Sequence, residues 1–179
     1  MKILLASLLL AAACATPAAE LEGKVVGVSD GDTVTVLDAT KTQHKIRLAG
    51  IDAPEKGQAF GPRAKENLSS LVFARPVRIE WTKEDRYGRK VAKVWVAEPG
   101  CTVPSCPKTL DAGLAQLTTG MAWWYRKYAR EQSVEDRGRY EFAETEAKAR
   151  RAGLWRDAEP IAPWDWRRSR RAPPRYEPG

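Results

Sequence analysis

Three short segments of this chain concentrate residue types that can do chemistry. They are Asp30-Gly31-Asp32-Thr33, Arg47-Leu48-Ala49-Gly50-Ile51-Asp52-Ala53-Pro54-Glu55, and Asp85-Arg86-Tyr87-Gly88-Arg89. Asp32, Asp52 and Glu55 offer hard oxygen ligands, and gathering them costs repulsion unless a divalent cation or arginines intervene. Arg47 and Arg89 carry planar forks that match a phosphate bidentately. Carboxylates, a hard cation and arginines are what metal-assisted phosphodiester cleavage needs. The positive groups neutralise the phosphate, and a carboxylate orients or deprotonates a water. Each segment also has a purely structural reading: Asp-Gly as a hairpin turn, Asp-x-Pro-Glu as a turn with a helix cap, Tyr-Gly-Arg as a turn. Residue types alone do not require the three to meet.

Composition narrows the field. The 179 residues include 30 Lys and Arg against 23 Asp and Glu, a formal charge of +7, and 43% are hydrophobic. That is one domain's length with enough apolar material for a core. A single histidine, His44, excludes chemistry that needs two, and three cysteines exclude a four-thiolate zinc site. A metal would be held mainly by oxygen, which favours calcium or magnesium.

The elements that must position these residues are legible as patterns. Val26 and Val28 before Asp30-Gly31-Asp32, and Val34 and Val36 after it, predict a hairpin. A third strand is expected over Gln43–Ala49, with Ile46 and Leu48 on one face and Lys45 and Arg47 on the other. Pro62 suits the first turn of a helix striped by Ala64, Leu68, Leu71 and Val72. Val77, Ile79 and Trp81 mark a fourth strand and Lys90–Ala97 a fifth. Leu110, Leu114 and Leu117 recur at helical spacing before Gly120. Ser133 is placed to cap a helix reaching about Ala152, with Tyr140, Ala143, Ala147 and Arg151 on one face. Trp123-Trp124-Tyr125 reads either as core or as a platform for stacking bases. The expected class is α+β: a five-stranded antiparallel OB-type barrel carrying about three helices.

Residues 1–19 read as a signal peptide. Lys2 precedes the apolar run Ile3–Ala13, which is too short to span a bilayer, and Ala13-Cys14-Ala15 fits cleavage near Ala15. A lipidated Cys14 is the alternative, giving a tethered lipoprotein in place of a secreted or periplasmic protein. In an oxidising compartment Cys101 and Cys106 read as a local disulfide, with two free thiols as the alternative. Residues 20–157 form the expected domain. Residues 158–179, rich in Pro, Arg and Trp, are expected to be a partly disordered basic tail, giving long-range, salt-screened attraction for nucleic-acid phosphates or an anionic envelope surface, or else solvated with no specific partner.

The three segments, in this order and spacing, resemble the staphylococcal nuclease (thermonuclease) family. The likeness extends to Gly120-Met121-Ala122 and Ala152-Gly153-Leu154-Trp155 and covers roughly Leu21–Trp155. It implies an OB-type barrel with a calcium site. Asp32 and Asp52 would be the ligating carboxylates, with the Ala53 carbonyl as third protein ligand. Glu55 would act on the water, Arg47 and Arg89 would clamp the phosphate, Tyr87 would donate to it, and Arg86 would either reach a neighbouring phosphate or be a solvated turn residue. Ala53 stands where the best-known member has threonine, the segment Lys56–Gly61 is short, and the Cys101–Cys106 stretch is an insertion. The expectation is an exported, monomeric, calcium-dependent enzyme cutting DNA and RNA, single strands preferred, to 3′-phosphate products. The alternatives are a non-cleaving module that binds nucleic acid or protein, and an envelope scaffold.

Overall fold

The computed structural model describes residues 19–101, 103 and 105–171. Residues 1–18 of the expected signal peptide, with Cys14, and the end of the expected tail lie outside those residues. In chain order the elements are β1 (Ala19–Val28), β2 (Thr33–Asp38), β3 (Gln43–Leu48), β4 (Ile51–Asp52), α1 (Gly61–Val72), β5 (Pro76–Glu84), β6 (Lys90–Ala97), β7 (Lys108–Asp111), α2 (Ala112–Thr118), β8 (Trp123–Trp124), α3 (Val134–Ala149) and α4 (Pro163–Ser169). The main sheet runs β3-β2-β1-β5-β6-β7. Pairing of β3 with β6, Ile46 opposite Lys90 through Leu48 opposite Ala92, closes strands β1, β2, β3, β5 and β6 into a barrel. That closing seam is parallel, whereas the other four are antiparallel.

Alternating residues fill the barrel: Val34 and Val36 from β2, Ile46 and Leu48 from β3, Val77 and Ile79 from β5, Ala92, Val94 and Val96 from β6, all buried. In β1 the alternation is broken. The register against β2 slips between Val25 and Gly27, so Val25 is the buried residue and Val26 faces out. An extra residue in one strand turns the following side chains over, so of the alternating pair Val26 and Val28 only Val28 packs against the core. Helix α1 closes one end with Ala64, Leu68 and Val72.

The second half differs from its pattern at one point. Leu110 lies not in a helix but in β7, opposite Val96 of β6. The helix starts at Ala112 because Asp111 caps it, accepting from the Gly113 and Leu114 amides at 2.9 and 3.2 Å. The same buried carboxylate accepts from Tyr140 Oη of α3 at 2.8 Å. Burial and the neighbouring Asp111 hold that phenol well above its usual range, so it stays a donor. Ser133 caps α3 as expected, its hydroxyl accepting from the Asp136 amide. The helix stops at Ala149, and Arg151 is exposed rather than on the packed face. Gly120 and Gly153 meet backbone to backbone, both at positive φ, with the Leu154 amide donating to Gly120 O at 2.9 Å. A side chain at Gly120 would collide with the Ala152 backbone and one at Gly153 with the Gly120 backbone, which explains the two glycine motifs.

Cys101 and Cys106 are disulfide-bonded, as expected, with Cα atoms 6.0 Å apart. The segment expected to be a disordered tail is corrected in part. Pro163 begins the helix α4, and Ala162 and Pro163 are buried against the domain. Among the described residues no helix is long and apolar enough to cross a membrane.

The Tyr140–Asp111 contact joins α3 to the start of α2. Tyr140→Phe should lower unfolding stability by about 1–3 kcal/mol, the cost of leaving a buried acceptor one donor short. Urea denaturation at neutral pH checks this. Unchanged stability would mean that the contact contributes nothing.

Candidate active site

The hairpin turn between β1 and β2 delivers Asp32. Asp30 Oδ1 accepts from the Asp32 amide at 3.1 Å, and the Ser29 amide bonds Thr33 O across the turn at 2.8 Å. Gly31 sits where a Cβ would lie 2.7 Å from the Cβ atoms of both Ala53 and Ala64, so the turn can approach only without a side chain. Gln116 of α2 fixes it from behind, donating to Gly31 O at 2.6 Å and Ala64 O at 3.0 Å. Asp32 emerges 6% exposed, accepting from the Ala53 amide at 2.8 Å and from Thr33 Oγ1 at 3.0 Å.

Asp52 comes from β4, a two-residue strand paired only with β8: Ile51 opposite Trp124, Asp52 opposite Trp123. Strand β8 is held in turn by Glu144 of α3. This fully buried carboxylate accepts from the Trp124 amide at 3.0 Å and pairs with Arg126 and Lys148 at 2.8 and 2.9 Å. Trp124 is buried, its indole donating to Gln132 at 2.9 Å, so this aromatic belongs to the core.

Arg47, on the last turn of the pleat in β3, joins the two carboxylates. Its Nη1 lies 3.0 Å from Asp32 Oδ2 and its Nη2 2.8 Å from Asp52 Oδ1. Nη1 also donates to the carbonyls of Leu48 and Ile51 at 3.1 and 3.0 Å. Burial pushes the Asp32 carboxyl up to about 7. Arg47 opposes that rise, and the nearby Asp30 and Asp52 charges add to it. Asp32 is therefore buried with its charge incompletely compensated.

The third segment forms the rim. Asp85 accepts from the Tyr87 and Arg89 amides at 2.9 and 3.0 Å and grips the Arg89 guanidinium at 2.7 and 2.8 Å. Burial would raise the Asp85 carboxyl, but its bonds to Arg89 and to these amides outweigh this and lower it. Arg89 Nη1 reaches Thr33 Oγ1 at 3.4 Å, and through that hydroxyl it adjoins Asp32. Tyr87, 65% exposed, and Arg86, whose guanidinium lies 5.0 Å from the Tyr87 ring, stay on the outer side of the turn.

One participant was not anticipated. Arg167 of α4 reaches across the site: Nη2 is 2.7 Å from Asp52 Oδ2 and Nη1 is 2.6 Å from Glu55 Oε1. Burial alone would lower this guanidinium, but its bonds to Asp52 and Glu55 hold it above the usual arginine range. This corrects the expectation that the C-terminal arginines act only at long range. Pro163 at the first helical position and Asp165 in the first turn were start signals for α4. Nothing in the local sequence pointed Arg167 at Asp52. Asp85 likewise had a readable signal, an Asp two residues before Tyr87 in a turn, as an Asx turn requires.

Asp32, Asp52, Arg47 and Ala53 are thus brought into direct contact, Glu55 joins through Arg167, Arg89 borders the group, and Arg86 and Tyr87 lie outside it. No group of three or more His, Cys, Asp or Glu side chains is gathered tightly enough to hold a metal among the described residues. The donors are nevertheless of the right kind. Two buried carboxylates suit a hard cation whose remaining ligands are backbone and water oxygens, although the guanidiniums of Arg47 and Arg167 lie against their oxygens here.

The raised Asp32 carboxyl has a consequence for stability. Between the ordinary value of 3.8 and about 7 the folded chain keeps a proton that the unfolded chain has released. The stability linked to this group is complete below the lower value and is lost as pH rises through about 7. Asp32→Asn should therefore have a higher urea midpoint than the parent at pH 8, and the difference should shrink toward pH 4. A difference that grows on acidification would contradict this.

The staphylococcal nuclease homologue family matches residues 45–157. Protein ParB of Escherichia coli is 44% identical over 155 residues, covering 86% of this chain and 84% of that protein. A micrococcal nuclease of Shigella flexneri is 40% identical over 84% of this chain and 83% of its own length. An uncharacterized endonuclease of Haemophilus influenzae is 38% identical over 93% of this chain and 85% of its own. Barrel, helices and motif order agree with that match, and the chain belongs to the staphylococcal nuclease homologue family.

Proposed function

We propose that this chain is a nuclease that hydrolyses the phosphodiester bonds of DNA and RNA, single strands in preference, in a calcium-dependent reaction that leaves 3′-phosphates. The observation that carries the reading is the Arg47 guanidinium bound to two buried carboxylates, with Glu55 beside them. Asp32 and Asp52, with the Ala53 carbonyl, would hold the cation. When bound, it would neutralise charge on the phosphate and on the transition state. Arg47 and Arg89 would grip the phosphate oxygens with two forks. Asp85 holds the second fork in place, so little ordering remains at the moment of reaction. Glu55, the least buried of the three carboxylates, would orient or deprotonate the attacking water. Tyr87 and Arg86, exposed on the adjoining turn, would meet the substrate backbone from outside. The N-terminal run supports export, secreted or periplasmic, and Cys14 offers lipid attachment as the variant of that reading. A second reading, a barrel that binds nucleic acid without cutting it, is favoured by the single fact that Arg167 engages Glu55.

Digestion of single- and double-stranded DNA with calcium should release acid-soluble nucleotides, and excess chelator should stop it. Full activity in chelator would remove the metal from the mechanism. Glu55→Gln should slow turnover about 10²-fold or more while the fold persists. A rate near that of the parent would reduce Glu55 to a loop residue. Arg89→Lys keeps the charge but loses the fork held by Asp85, so turnover should drop by about 10²-fold. Retention of full turnover would show that charge alone is needed there.

A further inference from the structure

We propose that Arg167 is an internal competitor of the divalent cation, and that α4 is an arm which must leave the reaction centre before it can work. The inference rests on the reading of Asp52 and Glu55 as parts of that centre. Arg167 binds both at once, at 2.7 and 2.6 Å, and a second nitrogen contact to Asp52 Oδ1 lies at 3.3 Å. Asp52 is 1% exposed, so the guanidinium fills its open side while Arg47 holds the other. A divalent cation and a guanidinium cannot share the same carboxylate oxygens without strong like-charge repulsion. While Arg167 is bound, Glu55 Oε1 is also engaged by its guanidinium, at 2.6 Å.

The arm is docked by specific contacts. Trp164 stacks on Tyr125, ring centres 5.3 Å apart and planes 9° from parallel, and meets Trp123 edge-on at 5.6 Å. Gln58, three residues after Glu55, donates to Ile161 O at 2.6 Å. Trp166 packs with Pro54, Phe60 and Trp123 around a small cavity. Helix α4 has seven residues. A helix that short is not stable in water by itself, so its place depends on these contacts and it can detach as a unit. Trp164 also covers the face of Tyr125, an aromatic ring of the kind on which a nucleotide base stacks. One short arm therefore blocks the cation position and an aromatic surface together.

Calcium titration of the full chain by calorimetry, without nucleic acid, tests the proposal. Arg167→Ala should bind calcium about tenfold or more tightly than the parent, the scale on which one adjacent charge biases a carboxylate. Arg168→Ala removes an exposed arginine of the same helix that pairs with Asp165, and should match the parent. Arg167→Gln keeps the stem and hydrogen-bonding capacity without the charge, and should follow Arg167→Ala. Calcium should also change the tryptophan emission of the parent as Trp164 leaves Tyr125. Equal or weaker calcium binding in both Arg167 variants would overturn the latch and leave the cation site standing. Absence of calcium binding in every chain would overturn the cation site and the latch with it.

Discussion

Arg47 is the constraint on which the rest depends. Two carboxylates are brought to one end of a barrel and taken out of water, which is costly unless cations answer them. One guanidinium answers both, and spends its remaining donors on the carbonyls of Leu48 and Ile51, where β3 turns into β4. A lysine there could not span the two acids and the turn together. The charge balance is still incomplete, which is why Asp32 resists ionisation and why a second guanidinium, from the far end of the chain, has come to rest on Asp52. Buried acids short of positive charge form a site that attracts cations, and this chain supplies one of its own.

The barrel presents these residues through seams rather than through long strands. Asp32 depends on the turn after β1, Arg47 on the end of β3 at the parallel closure with β6, and Asp52 on the two-residue pairing of β4 with β8. Barrel ends suit this purpose. The strands beneath are fixed by a closed hydrogen-bonded wall, and the turns above are free to carry polar groups that the core would reject.

Much of this was legible in the sequence, for identifiable reasons. The segments around Asp32, Arg47, Asp52 and Glu55 are local and polar in a way that turns alone do not require, and the end of β3 alternates cleanly, with Ile46 and Leu48 buried. What was missed is non-local or irregular. Val25 faces in and Val26 out, because a bulge has no signature in alternation. Leu110 looked helical because its spacing to Leu114 was right, while the cap at Asp111 and the open edge of β6 decided otherwise. The parallel closure, the Glu144 support and the reach of Arg167 each join residues far apart in sequence, and no pattern within a window of twenty residues contains them. The C-terminal segment looked like a tail because its composition is that of tails. Its tryptophans, which a solvated arm has little use for, were the sign that it docks.

Glu144 gives the fold an uneven thermal response. Through the Trp124 amide it ties α3 to β8, and β8 is what holds β4 and Asp52. The barrel's strands hydrogen-bond one another without α3, which adds Tyr140 and Ala143 to the core and an Asp136–Lys93 pair to β6 at 2.8 Å. Local opening of that helix is thus a cooperative event distinct from melting of the barrel, with its own free energy. It would free β8, and Asp52 would lose its backing while the barrel wall stayed closed. The arrangement of the carboxylates is therefore no more durable than the docking of α3, and on heating, the site should come apart in the helical half of the molecule before the β wall gives way.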